Sequence, residues 1–93
     1  VSTKDKGPWL EWFMLYPNPN TGSFTVEMTG EPEREVSCVL YNTLGQPVKT
    51  ETLNFSAGNL VHTFHYRDLP AAVYLLQIRA GDKMRVEKVV IQR

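Results

Sequence analysis

Along most of this chain apolar and polar residues alternate with a period of two, which is the spacing of half-buried strands and not of helices. Phe24, Val26 and Met28 alternate with Thr25, Glu27 and Thr29 from Gly22 onward, until Gly30-Glu31-Pro32 breaks the run. Glu35 to Asn42 carries Val36, Cys38 and Leu40 on one side and Val39 and Tyr41 on the other, so it reads as a central strand. Asn42-Thr43-Leu44-Gly45 turns the chain, with Gly45 supplying a positive φ. Val48 to Leu53 is shorter and more polar, which places it at an edge. After the turn at Ala57-Gly58-Asn59, Leu60, His62, Phe64 and Tyr66 share a face, up to Arg67-Asp68-Leu69-Pro70. Val73 to Ala80 sets Tyr74, Leu76 and Ile78 against Val73 and Leu75, and Ala80-Gly81-Asp82-Lys83 reads as a tight hairpin turn. The last strand runs from Met84 to about Gln92.

Ahead of these lies a different texture. Val1 to Pro8 has no periodicity and reads as a linker. Trp9, Leu10, Trp12, Phe13, Met14, Leu15 and Tyr16 then crowd together, with Glu11 to Tyr16 as a first strand stopped by Pro17-Asn18-Pro19-Asn20. Two prolines so close remove two backbone donors and fix φ, which ends a strand and starts a rigid turn. The whole predicts an all-β, small Ig-like sandwich of about seven antiparallel strands, divided into a linker and lead-in over 1–15 and the domain proper over 16–93.

Composition narrows the function classes. Ten Lys and Arg balance ten Asp and Glu, so no basic surface exists to drive binding to nucleic acid. No apolar stretch is long enough to span a bilayer, and residues 1–7 lack the pattern of a signal peptide. The first residue is Val, from which we expect a fragment of a longer chain.

Candidate chemistry is sparse. His62 and His65 lie three apart in a strand and so point to opposite faces, about 10 Å apart along the chain, which argues against a shared metal ion. Cys38, a histidine and Asp68 form a nucleophile, base and acid on paper, but Cys38 is in phase with Val36 and Leu40 and is expected to be buried and inert. No cofactor site and no active site is expected. Trp9, Trp12, Phe13 and Tyr16 suit either a sugar-stacking platform or a core strand with a flap over one open end.

Four segments, taken in order, resemble a known family. Tyr16-Pro17-Asn18-Pro19-Asn20-Thr21-Gly22-Ser23-Phe24 is similar to the opening of the type IX secretion system C-terminal sorting domains, found on exported proteins of Bacteroidetes. Val39 to Val48 is similar to that family's strand-turn-Gly-strand segment, Asp68 to Ile78 to its Leu-x-x-Gly-x-Tyr segment, and Lys88 to Arg93 to its lysine-containing apolar end. Ala72 stands where the family usually has Gly, so the backbone there should avoid positive φ.

The resemblance implies a seven-stranded sandwich that addresses an N-terminal cargo domain to the outer-membrane translocon. It also implies a surface sortase that cuts ahead of the domain as cargo is anchored. The protein is then exported, in the periplasm in transit and afterwards at the cell surface or outside. The cut would fall before Tyr16, where no sandwich hydrogen bonds need breaking. For recognition by translocon and sortase we expect the last strand and its neighbours to be read: Gly45, Lys88, Val89, Val90, Ile91, Gln92 and Arg93. At least one of Val89, Val90 and Ile91 should face outward. The terminal strand should offer unpaired backbone groups, with Lys88 and Arg93 fixing charge register. Exposed edges would also permit self-association. A carbohydrate-binding module and a passive Ig-like spacer of a surface protein are the competing readings.

Overall fold

The computed structural model describes residues 10–30 and 35–93. The expected linker Val1–Pro8, Trp9 and the break at Glu31-Pro32 lie outside the described residues. Within them run seven strands: β1 (Leu10–Tyr16), β2 (Ser23–Gly30), β3 (Glu35–Tyr41), β4 (Pro47–Asn54), β5 (Asn59–His65), β6 (Ala72–Ala80) and β7 (Lys83–Ile91). They form a three-stranded sheet in the order β1-β2-β5 and a four-stranded sheet in the order β4-β3-β6-β7. Every pairing between strands is antiparallel. The second and fifth strands are neighbours in one sheet and the third and sixth in the other, as in immunoglobulin-like sandwiches. Among the described residues no helix is long and apolar enough to cross a membrane.

The two-residue period sets which side chains meet between the sheets. Phe24, Val26 and Met28 of β2 and Leu60 and Phe64 of β5 face Val36, Cys38 and Leu40 of β3 and Tyr74, Leu76 and Ile78 of β6. Phe24 and Phe64 stack with ring centroids 5.0 Å apart, and Tyr66 meets Phe24 edge-on at 6.1 Å. β3 lies inside its sheet and β4 at the edge, as the apolar faces of the one and the polarity of the other predict. Phe13 and Leu15 turn inward onto the core while Trp12, Met14 and Tyr16 are exposed. The aromatic cluster is therefore divided between core and surface.

Connections place the turns at two opposite ends. The segments 17–22, 42–46 and 66–71 and residues 92–93 lie at one end, where β2, β4 and β6 begin and β1, β3, β5 and β7 finish. The turns 55–58 and 81–82 and the start of β1 lie at the other. All four segments of the family resemblance therefore meet at one end of the sandwich. The chain enters from the opposite end, the length of a seven-residue strand away, roughly 20 Å.

Candidate functional site

The end where the four segments meet is built on asparagine, glycine and arginine. Two cis X–Pro bonds shape the Tyr16–Asn20 segment. Its asparagines run alongside β7, which is an edge strand of its sheet. Asn18 Nδ2 donates to the Lys88 carbonyl at 2.7 Å, and the Val90 N–H donates to Asn18 Oδ1 at 2.9 Å. The side-chain amide of Asn18 thus does what a neighbouring strand's peptide group would do. Asn20 continues with its own backbone: its N–H donates to Val90 O at 2.9 Å, and Gln92 N–H donates to Asn20 O at 2.7 Å. Asn20 is 5% exposed, and its side chain is satisfied by Pro17 O (3.2 Å, donating) and Gly22 N–H (2.9 Å, accepting).

Gly22 follows with φ +114°, a region disfavoured for residues with a Cβ. A Cβ there would stand 2.8 Å from Arg93 Nη2 and 2.9 Å from the Tyr66 carbonyl. That space lets Arg93 lie flat across the end. Its Nε and Nη2 donate to Leu69 O at 2.9 and 2.6 Å, and Nη2 also donates to Tyr66 O at 3.1 Å. Tyr66 N–H in turn donates to Gly22 O at 2.7 Å. Tyr74 OH donates to Pro70 O, four residues upstream, at 2.7 Å and fixes the 66–71 crossover. Ala72 keeps a negative φ at the start of β6, as a residue with a side chain should.

Gly45 sits in the β3–β4 turn with φ +83°, and an added Cβ would meet nothing within 4 Å, so conformation and not crowding calls for glycine there. Asn42 organises that turn: its Oδ1 accepts from Leu44 and Gln46 N–H, both at 3.0 Å. Leu44 is left 80% exposed at the tip. Below it, Lys49 and Asp68 join β4 to the crossover at 2.8 Å, and that bond holds the Asp68 carboxyl below its ordinary pKa.

The structure narrows one expectation about the terminal strand. Its outward backbone groups are not open near the end: Lys88 O, Val90 N–H and C=O and Gln92 N–H are taken by Asn18 and Asn20. Arg93 is exposed, and its guanidinium donates to carbonyls of its own chain. Val89 and Ile91 are 0% and 1% exposed core residues, and Val90 is the one of the three that turns outward, opposite Val73. Lys88 and Gln92 are exposed. The asparagines that close the edge were missed as site residues because Pro-Asn-Pro reads as a turn, with no sign of its distant partner.

The groups considered for chemistry are dispersed. Cys38 is 2% exposed, and burial, with the Glu51 carboxylate adding to it, pushes its thiol pKa up to about 12. His62 Nε2 bonds Glu51 Oε1 at 2.9 Å, and Tyr66 OH donates to Glu51 Oε2 at 2.6 Å, with burial and then that bond raising the tyrosine's pKa. Cys38, a histidine and Asp68 thus form no hydrogen-bonded relay: Asp68 pairs with Lys49 and His62 with Glu51. His65 points the other way, toward Ser23 Oγ at 3.3 Å. Glu51, on a strand read as a polar edge, ties the two sheets together at that side. Outside, Tyr16 OH bonds the Glu27 carboxylate, which raises the tyrosine's pKa.

Two antiparallel sheets packed on one core, with one end tied by asparagine and arginine, define a small immunoglobulin-like sandwich. Residues 14–92 match the family of secretion system C-terminal sorting domains, and the chain belongs to that family. The family places it in type IX secretion, as a signal for export across the outer membrane that engages the secretion machinery on behalf of a cargo domain. No curated protein matches the chain.

Proposed function

We propose that the tied end of the sandwich is the surface the type IX translocon reads, and that the domain serves its cargo as an address with no catalytic part of its own. The observation that supports this is convergence. The segments 16–24, 39–48, 68–78 and 88–93, far apart in sequence, meet at one end, while the cargo side of the chain leaves from the other. A folded receptor can then approach without meeting the cargo. Of the residues expected to be read, Lys88, Gln92 and the half-exposed Val90 offer side chains, with Leu44 beside Gly45 as an apolar tip. Val89 and Ile91 act from within by holding that surface in shape, and Arg93, itself exposed, ties the 66–71 crossover to the end of the chain.

Removal by a surface sortase fits a cut ahead of β1. Leu10 to Tyr16 is laddered to β2, so a cut that leaves the sandwich intact belongs on the N-terminal side of Leu10. The residues ahead of Leu10 then act as linker, the lead-in strand β1 stays with the sandwich, and the released cargo is anchored at the surface.

The test is a fluorescent reporter carrying the chain at its C-terminus, in hosts with and without a working type IX system. Export is expected only with the system, and Leu44→Ala and Lys88→Ala should lower it while leaving the thermal melt unchanged. Retention in both hosts would overturn the reading. A second reading has one observation in its favour: Trp12, Met14 and Tyr16 form an exposed row on β1, 44%, 44% and 38% accessible, a surface on which a sugar could stack. Saturable tryptophan quenching by glycans would support it.

A further inference from the structure

The edge of β7 is closed by Asn18 and Asn20 only over its terminal half. Backbone groups that point away from β6 recur every second residue. Lys88 O, Val90 N–H and C=O and Gln92 N–H are of this set, and the β6–β7 register has no shift. The N–H and C=O of Met84 and Val86 and the N–H of Lys88 therefore also point outward, beyond the reach of the two asparagines. Met84 and Val86 are 49% and 47% exposed, and they continue an apolar outer face with Val73 and Leu75 at 40% and 43%. Half of this edge is guarded. Among the described residues, the other half has no neighbouring strand.

The sequence of that half is complementary to itself. We infer that Met84 to Lys88 pairs antiparallel with the same stretch of a second copy of this chain, about a two-fold axis at Val86. Residue pairs across such an axis are fixed by arithmetic. Val86 meets Val86 of the second copy, Met84 meets Lys88, and Arg85 meets Glu87 on both sides of the axis. Every charged residue of Arg85-Val86-Glu87 thus faces its opposite, and apolar side chains meet on the outer face.

Within one copy Arg85 Nε already donates to Glu87 Oε2 at 2.6 Å, with the guanidinium carbon 4.4 Å from the Phe13 ring centroid. Pairing extends that bond to a four-membered alternating network. Four backbone bonds form with no displacement of Asn18: Val86 N–H to Val86 O in each direction, and Lys88 N–H to Met84 O in each direction. The two four-stranded sheets become one continuous sheet whose outer face carries both apolar patches. Lys49-Thr50-Glu51 on β4 has the same charge arithmetic but not the same availability. Its charges are bound to Asp68, His62 and Tyr66, and that edge opens on Pro47 beside an irregular register.

This association does not rest on the export reading. Its test is sedimentation equilibrium of the whole chain between about 10 µM and about 1 mM, the range suited to a small interface. The weight-average mass should rise from one copy toward two. Val86→Lys sets like charges together at the axis on an exposed position, and should hold the protein monomeric with an unchanged melt. Arg85→Glu and Glu87→Arg should each weaken self-association roughly ten-fold or more, while an equimolar mixture of the two recovers it. If Arg85→Glu loses its fold with the Phe13 contact, Val86→Lys still decides. A constant monomer mass over the whole range would overturn the pairing and leave the edge to a strand of another protein. Self-association of Val86→Lys equal to that of the parent would overturn it also, by placing the contact on another face.

Discussion

At one end of the sandwich, the segments 17–22 and 66–71 and residues 92–93 are hydrogen-bonded to one another, while the 42–46 turn is bonded within itself. At the other, among the described residues, the chain reverses within single turns at 55–58 and 81–82. The Ser56–Asn59 turn closes on itself through two backbone bonds of 2.7 and 3.0 Å, and among the described residues its one backbone bond to another strand's end is Gly30 N–H to Gly58 O at 3.0 Å. The first end joins residues 70 and 72 positions apart, through Asn18 to Lys88 and Val90. The difference teaches where specificity of structure is concentrated. Among its described residues the far end is closed locally. The tied end is closed over long sequence distances and uses polar groups, the buried Asn20 among them, whose geometry tolerates little change.

The largest break in that contrast is expected from Gly22→Ala. The methyl would sit 2.8 Å from Arg93 Nη2 and 2.9 Å from a backbone oxygen, at a φ alanine disfavours. Overpacking and strain together should cost about 3 kcal/mol or more, read as a fall in the urea midpoint at unchanged slope. Next comes Arg93→Ala, which strips donors from Leu69 O and Tyr66 O and should lower stability by about 2 kcal/mol, or roughly 10 °C in the melt. Arg93→Lys should recover little of this, since one ammonium does not reproduce a planar fork across two carbonyls. The smallest effect sharpens the comparison from the other side. Ala57 holds φ +54° beside Gly58 at +83° in a tight turn that suits Asn-Gly. Ala57→Asn should raise stability by about 0.5 kcal/mol, seen as a small rise in the melting temperature. A comparable gain from substitution at Gly22 would erase the distinction between the ends.

Local pattern made the strands legible and long-range closure did not. Alternation in Phe24–Met28 and in Val36–Leu40 reports which face is buried, because burial acts residue by residue along one strand. The edge place of Val48–Leu53 and the hairpin at Gly81-Asp82 follow from composition and turn chemistry in the same way. Asn18 is different. Its role depends on which carbonyl lies beside it, and that carbonyl is at Lys88. Glu51 was hidden for the same reason: an acid on a polar edge strand looks solvated until His62 of the other sheet and Tyr66 just after it are seen to meet it. Arg93 is a surface residue, as long charged side chains usually are, but its bonds to Leu69 O and Tyr66 O across Gly22 again depend on distant partners.

The placement of chain entry and of the tied segments at opposite ends also has a mechanical side. β1 starts at the far end and runs toward the tied end, antiparallel to β2 over Trp12–Tyr16 and Thr25–Thr29. A pull on the preceding chain, resisted by whatever grips the tied end, is directed along the strands. Interstrand bonds lie across that direction, so tension loads the β1–β2 ladder in shear and its bonds share the load. Tension applied across the strands would instead peel them apart one by one. The fold is oriented to keep its shape while something heavy is drawn behind it.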